Sequence, residues 1–196
     1  MERILVHLPE LLAFGALGFA ASAARGSGNT PASPEATTTN TKHLNYAAEK
    51  SYESVIVDLE KQLGRFEPAI YQPSGNEKPN FAEIEAKSRT TEGSSGLMIF
   101  AKYEHGALLA LAGKKAQARQ YVVGNPLVAL QMTQADIRAA EYAPLRMLVY
   151  SEEDGRTHID YDLPSSVFGR FRSPEIDTVA RGLDEKMEWL VRNALQ

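Results

Sequence analysis

Residues 95–162 read SGLMIFAKYEHGALLALAGKKAQARQYVVGNPLVALQMTQADIRAAEYAPLRMLVYSEEDGRTHIDYD, and this stretch decides the fold. Four runs in it are apolar and rich in β-branched or aromatic side chains, and each is five to seven residues long. They cover residues 97–103, 119–123, 145–150 and 157–161. Because Gly, Pro or Asp bounds each run, the pattern is typical of strands separated by turns. It predicts four neighbouring strands of one antiparallel sheet.

The dipeptide Asp154-Gly155 favours a two-residue turn between the last two runs, since both residue types tolerate positive φ. That turn places Tyr150 opposite Ile159 and Leu148 opposite Tyr161, which makes these four side chains the core face of the sheet. The opposite face then carries Leu145, Met147, Val149, His158, Asp160 and Asp162. It is too apolar for open water, so we expect it to meet a short helix, a second subunit or a ligand.

One further strand and two helices are predicted outside this stretch. Residues 43–47 form an edge strand, and Ser51 caps a helix over residues 52–63. Gly64 follows the helix at the position where a residue in the left-handed backbone conformation commonly ends it. Ser173-Pro174-Glu175 begins a long C-terminal helix with an unbroken apolar stripe. The expected fold is α+β, an antiparallel sheet of four to five strands with this helix packed across one face, in the order β-α-β4-α.

Residues 67–95 interrupt this order with an irregular segment rich in Pro and Gly. The pattern from Asn80 to Glu83 is that of a capping box and predicts a short helix ending near Lys87. We expect a packed excursion rather than a mobile lid, held to the domain by Phe81 and Ile84.

Composition limits the classes of function. Of 196 residues, 43% are apolar and 23% charged, and the net charge is −4. This balance argues against a nucleic-acid or anionic-membrane surface as the main partner. The chain has no cysteine, which excludes disulfides, thiolate metal ligands and a cysteine nucleophile.

The first 41 residues are predicted to form an apolar leader and a flexible linker, and residues 42–196 a single α+β domain. The apolar run at 11–24 has 14 residues, too few for a stable membrane span. Ala21-Ser22-Ala23 resembles a signal-peptidase site. Glu2, Pro9 and Glu10 argue against a signal peptide, which favours net positive charge in that region. A cytoplasmic location is therefore favoured, with export after cleavage near Ala23 as the alternative.

Several short motifs together resemble a known family. They are FAKYEHGA (100–107), VGNP (123–126), LQM (130–132), PLRMLVY (144–150), EDG (153–155) and YDLP (161–164). The combination is similar to the family called domain of unknown function 302, over about residues 42–195. The resemblance implies a fold like that of the TATA-box-binding protein and a dimeric assembly. It implies no activity, and the longer segment at 67–95 departs from the family pattern.

His105 is the first candidate for chemistry. It follows Glu104 at a predicted strand end and lies near Lys102, so the three residues suggest acid–base catalysis. The alternative is a turn histidine that bonds the backbone. A metal site is not expected, because His43, His105 and His158 are scattered and lack ligand spacing.

Asn125, Arg146 and Asp162 form the second candidate, since an antiparallel meander brings them to one end of the sheet. Arg146 on one face and Asp162 on the other would orient a carboxylate or another polar ligand. The alternative is an ion pair beside a turn. His105 lies at the opposite strand end, so the two candidates cannot share a centre within one subunit. Further ligand contacts are expected from Tyr161, Met98 and Met132, the methionines lining an adaptable apolar pocket or else belonging to the core.

Two functions follow from these candidates. The favoured one is a non-catalytic homodimer that holds a small apolar or amphipathic ligand between sheet and helices. The alternative is an enzyme using His105 with Glu104 or Lys102 on a small organic substrate, and a pure interaction protein is a third reading. No cofactor is predicted. The dimer interface is expected to include Leu145, Met147, Val149 and Trp189, because exposed Trp and Met are typical of interfaces.

Overall fold

Six strands form one sheet in the computed structural model, which describes residues 33–72, 80–151 and 155–196. The strands are β1 (His43–Ala48), β2 (Gly64–Arg65), β3 (Met98–Glu104), β4 (Ala118–Gly124), β5 (Leu145–Ser151) and β6 (Thr157–Asp162). Their order across the sheet is β1-β6-β5-β4-β3-β2. Neighbours are antiparallel except β2, which pairs parallel to β3. The predicted α+β sheet is confirmed. The additional strand is β2, whose two residues are too short for a periodic signal.

In these described ranges, six α-helices accompany the sheet. They are α1 (Tyr52–Gln62), α2 (Phe81–Thr91), α3 (His105–Leu111), α4 (Pro126–Ala135), α5 (Pro164–Phe168) and α6 (Pro174–Leu195). The same ranges contain 3₁₀ turns at Pro68–Tyr71, Ile137–Tyr142 and Gly169–Phe171. All of these elements belong to the unit Thr38–Gln196. Residues 33–37 have no regular secondary structure. The apolar run at 11–24, the cleavage site near Ala23 and Asp154 lie outside the described residues.

Helix α6 begins as predicted. The Ser173 hydroxyl accepts a hydrogen bond from the Ile176 N–H at 3.3 Å, and Pro174 occupies the first turn. Its apolar stripe is buried, with Leu183 only 3% exposed. The stripe packs with α1 over one face of the sheet, which makes this face the core. Within the described ranges, no helix combines the length and the hydropathy that a membrane crossing requires.

The predicted register between β5 and β6 is wrong by one residue. Met147 lies opposite Tyr161, and Tyr150 lies opposite His158. Pairing stops at Ser151 and Thr157, so five residues separate the strands where a two-residue turn was expected. The slip turns Leu145, Met147 and Val149 into the core, where they are 9%, 1% and 0% exposed. These three side chains therefore cannot form the expected dimer interface.

Gly64 ends α1 for a reason other than the predicted one. The C-cap is Leu63, which is extended at φ −99°, and Gly64 does not adopt positive φ. A Cβ atom on Gly64 would fall on the carbonyl oxygen of Thr91 and 2.5 Å from the nitrogen of Gly93. Glycine is needed here because two backbone segments cross in contact.

The predicted anchors do not hold the described parts of the excursion, residues 67–72 and 80–95. Phe81 is 55% exposed, and Ile84 is only partly buried. Within the excursion, the Tyr71 hydroxyl donates to the Ser88 hydroxyl at 2.8 Å, and Ser88 is fully buried. Asn125 Nδ2 donates to Glu92 Oε2 and so joins the excursion to the rest of the domain. The capping of α2 by Asn80 is confirmed, since its side chain accepts from the Glu83 N–H. The helix continues to Thr91, beyond the expected end.

Candidate functional site

A cavity of about 350 Å³ lies where β4 ends and β5 begins. We call it the α4 pocket, because residues 126–133 of α4 supply much of one wall. Asn125 positions this helix as its N-cap, and Pro126 occupies the first turn, where proline is favoured. Residues 143–145, at the start of β5, supply a second wall. The cavity volume falls at the lower end of the range for small-molecule sites.

Aromatic side chains form another part of the lining of the α4 pocket. The rings of Phe66 and Phe100 are stacked, with centroids 4.1 Å apart and planes inclined by 17°. Tyr71 stacks on Phe66 in turn, at 5.5 Å and 20°. The irregularity in β3 between Ile99 and Ala101 lies at Phe100, so the ladder register breaks beside this ring. The three rings form a continuous aromatic wall.

The floor of the α4 pocket belongs to the main core. Phe168 and Met132 are 0% and 1% exposed, and Leu145 and Leu183 come from β5 and α6. Burial in a close-packed core restricts these side chains, so the floor is held in place without a ligand. Met132 is the adaptable member, because its thioether chain is unbranched.

The polar side chains in the wall already have partners. Asn125 Nδ2 donates to Glu92 Oε2 at 2.8 Å and to the Gly96 carbonyl at 3.0 Å, and its Oδ1 accepts from the Leu127 N–H. The Thr133 hydroxyl donates to the Leu130 carbonyl at 3.2 Å. The Tyr71 hydroxyl donates to Ser88. Among the described residues, none that lines the pocket is charged. A ligand inside therefore meets hydrocarbon and aromatic carbon.

Some of the predicted ligand residues line this pocket, and others do not. Asn125 and Met132 line it. Met98 is fully buried, and its sulfur lies 3.8 Å from the Tyr71 hydroxyl, so it supports the aromatic wall from behind. Tyr161 is 2% exposed in the core and stacks on Tyr46 at 6.1 Å. It does not line the pocket.

Arg146 and Asp162 share one face of the sheet, whereas opposite faces were expected. The corrected register turns both away from α1 and α6, because their neighbours Met147 and Tyr161 face the core. Asp162 Oδ1 lies 3.0 Å from the His43 ring. Arg146 and Asp162 do lie at the same sheet end as Asn125, as the antiparallel order requires. They contribute nothing to the lining of the α4 pocket.

On the same face, β1 is joined to β6 by a polar cluster that was not predicted as a unit. The two ring nitrogens of His43 lie 3.0 Å from Asp162 Oδ1 and 3.2 Å from Asp160 Oδ2. Asn45 donates to Asp160 and to the Tyr150 hydroxyl. The hydrogen bonds with Asp162 and Asp160 raise the pKa of His43. In the described ranges, no three His, Asp or Glu side chains are arranged to hold a metal ion.

The structure separates His105 from its predicted partners. His105 begins α3, and no hydrogen bond or ion pair joins its ring to another residue in the described parts of the chain. Glu104 forms an ion pair with Arg119. Lys102 lies 3.2 Å from Glu60. Both side chains are therefore engaged elsewhere, and no acid–base pair forms at His105.

Glu60 and Arg119 organise an ionic network that the sequence interpretation missed. Tyr121 donates to Glu60 Oε1 at 2.7 Å, and Arg119 Nη1 lies 3.0 Å from the same oxygen. Burial alone would raise the pKa of Glu60, but the hydrogen bonds from Tyr121 and Lys102 outweigh it and hold that pKa below its ordinary value. The sequence signal was the alternation of Arg119, Tyr121 and Val123, which places an arginine on the core face. The network ties α1 to β3 and β4.

Comparison with known proteins gives a family and a fold. No curated protein matches the chain. The crystal structure of an uncharacterized conserved protein DUF302 from Bacillus stearothermophilus is similar, with a TM-score of 0.55 and 14% sequence identity. The match covers 78% of this chain and 97% of the other, and at that identity it bears on the fold alone. Residues 76–194 match the family model described as Domain of unknown function DUF302, and the chain belongs to this family.

Proposed function

We propose that this protein is a binding module for a small apolar molecule, held in the α4 pocket. The observation that carries the proposal is the chemistry of the lining. A cavity of about 350 Å³ is bounded by aromatic and aliphatic side chains, and the polar side chains in its wall are hydrogen-bonded within the protein. Largely preformed apolar cavities of this size are typical of ligand sites.

The elements around the pocket favour a cavity that persists without its ligand. Asn125 fixes the start of α4, Leu145 belongs to a central strand, and Phe168 is fully buried. Collapse of the cavity would require these elements to move together, which costs packing elsewhere in the core. In this proposal Met132 contacts the ligand, while Asn125 and Met98 hold the walls.

No observation favours the enzyme alternative. The two side chains proposed to assist His105 are ion-paired with Arg119 and Glu60. A catalytic base is commonly held in position by a hydrogen bond from a further side chain, and in the described ranges no side chain bonds the His105 ring.

We also propose that the module is a homodimer. The proposal now depends on Trp189 instead of on the side chains of β5. Of the four side chains first expected at the interface, only Trp189 is exposed, at 45%. Large exposed aromatic side chains are enriched at interfaces. Val149→Glu would test the stability of the subunit instead of the dimer, because Val149 is fully buried and a buried charge is strongly destabilising.

The binding proposal is tested by native mass spectrometry of the purified full chain and two matched variants. Ala129→Trp fills the pocket, because Ala129 lines it. Ala135→Trp makes the same change on α4 at an exposed position outside the lining. We expect the wild type and Ala135→Trp to carry the same added small-molecule mass and Ala129→Trp to lack it. Retention of that mass by Ala129→Trp would place the ligand elsewhere.

A further inference from the structure

The size of the α4 pocket limits the size of its ligand. A cavity of about 150 Å³ lined by apolar side chains holds one benzene molecule. The α4 pocket has about 350 Å³, more than twice that volume. Two fused six-membered rings therefore fit, whereas a single ring would leave much of the lining without contact.

The aromatic wall favours flat rings over saturated ones. Phe66 is stacked with Phe100 and with Tyr71, with ring planes inclined by 17° and 20°, and all three residues line the pocket. An aromatic ligand would contact these rings with a ring of its own. Pairs of aromatic rings attract beyond their burial of area because their quadrupoles are complementary in offset or edge-to-face arrangements. A saturated ring of equal size lacks this contribution.

The same lining disfavours a charged ligand. Both N–H groups of the Asn125 amide are used, by Glu92 and Gly96, and the Thr133 hydroxyl donates to a helix carbonyl. The Tyr71 hydroxyl donates to Ser88. A carboxylate in the pocket would find no side-chain donor among the described residues, and an unpaired buried charge is expensive.

We infer that the α4 pocket takes a neutral bicyclic aromatic molecule, of about the size and shape of naphthalene. This inference rests on the proposed binding function and adds the chemical class of the ligand. It makes Phe100 a specificity-determining residue, since its ring belongs to both the pocket lining and the stack.

The inference is tested with three probes in calorimetric titrations of the full chain. Naphthalene is neutral and aromatic, decalin is its saturated counterpart, and naphthoate adds a carboxylate. We expect naphthalene to bind about two- to ten-fold more tightly than decalin. Naphthoate should bind at least about ten-fold more weakly than naphthalene. In Phe100→Leu, the ratio of the naphthalene and decalin affinities should move towards one. This ratio cancels any loss of affinity that the two probes share.

Each outcome distinguishes the ligand class from the binding function. If decalin binds as tightly as naphthalene and Ala129→Trp abolishes both, the pocket binds ligands and the aromatic class is wrong. If naphthoate binds most tightly, the neutral class is wrong. If the wild type binds none of the three probes but carries a small-molecule mass that Ala129→Trp lacks, the pocket binds a ligand and the bicyclic aromatic class is wrong. If it carries no such mass either, the binding function fails as well. If Phe100→Leu does not fold, the order of the three affinities of the wild type still tests the ligand class.

Discussion

Phe66 stacks on Phe100 with ring centroids 4.1 Å apart, and this contact joins the irregular segment after β2 to the sheet. Phe66 follows the last residue of β2, and Phe100 lies in β3. The stack therefore does two things: it anchors the excursion, and it forms the aromatic wall of the α4 pocket. The proposed binding function depends on this wall.

Loss of the stack should destabilise the protein. Phe66→Ala removes a half-buried ring and its aromatic contacts, so we expect a loss of about 1–3 kcal/mol in the free energy of unfolding. Phe81→Ala is the matched control, because Phe81 is 55% exposed and should change that free energy by less than about 0.5 kcal/mol. Urea denaturation measures both. Equal effects would mean that Phe81 anchors the segment after all.

Two glycine substitutions should have opposite effects. Gly64→Ala places a methyl group onto the backbone of Thr91 and Gly93, which we expect to cost about 1–3 kcal/mol. Gly182→Ala lies within α6 with no atom within 4 Å of the new Cβ, so it should stabilise by up to about 1 kcal/mol. Thermal unfolding of both variants checks the signs. A Gly64→Ala variant as stable as the wild type would disprove the close crossing of the two segments.

The Glu60 network should make the free energy of unfolding depend on pH in the acidic range. The folded-state pKa of Glu60 lies below its ordinary value of 4.5. Ionised Glu60 therefore stabilises the fold above pH 4.5, and this contribution is lost as the pH falls through the folded-state pKa. Glu60→Gln should cost on the order of 1 kcal/mol at neutral pH, because the partly exposed pair is screened by water.

The difference in unfolding free energy between wild type and Glu60→Gln should shrink from neutral pH to a pH below the folded-state pKa of Glu60, where both side chains are neutral. Glu67→Gln is the control, since the Glu67 side chain makes no ion pair in the described ranges. Urea unfolding at the two pH values measures the differences. If the difference in unfolding free energy stays constant with pH, the effect of Glu60→Gln comes from packing and not from the charge of Glu60.

The homodimer should depend on Trp189. Sedimentation equilibrium at micromolar concentration should give twice the subunit mass for the wild type and a weaker dimer for Trp189→Ala. Leu111→Ala serves as comparison, because Leu111 is 85% exposed on α3. A wild-type mass of one subunit would reject the dimer. Weakening by Leu111→Ala alone would move the interface to α3.

Local chemistry made parts of the fold predictable. The start of α6 follows from Ser173 and Pro174, whose roles depend only on the first turn of the helix. Its stripe follows from spacing alone. The capping of α2 by Asn80 is equally local. These features need no knowledge of distant residues.

The register of β5 was not settled by alternation, because both of its faces are apolar. Leu145, Met147 and Val149 compete with Leu148 and Tyr150 for the core, and the core takes the first set. Arg146 was the available signal: the predicted register put this arginine on the core face. Asp154-Gly155 outweighed it in the prediction, but the strands separate before that dipeptide.

The α4 pocket was predictable only in part. Asn125 was named because the antiparallel order brings it to one end of the sheet, and Met132 because methionine suits an adaptable apolar pocket. Phe66 and Phe168 could not be placed beside them, since the segments that carry these rings are far apart in the chain. Cavities arise from tertiary packing, which a pattern of neighbouring residues does not encode.

The most direct test of the binding account is the NMR signal of the Met132 methyl group. In protein labelled with ¹³C at the methionine methyls, Met132 reports from the pocket, whereas Met98, Met147 and Met187 lie outside its lining and serve as internal controls. On titration with naphthalene, the account predicts a saturable shift of the Met132 signal, small changes at the other three, and no shift in Ala129→Trp. A Met132 signal that stays fixed, or one that moves no more than those of Met147 and Met187, would contradict it.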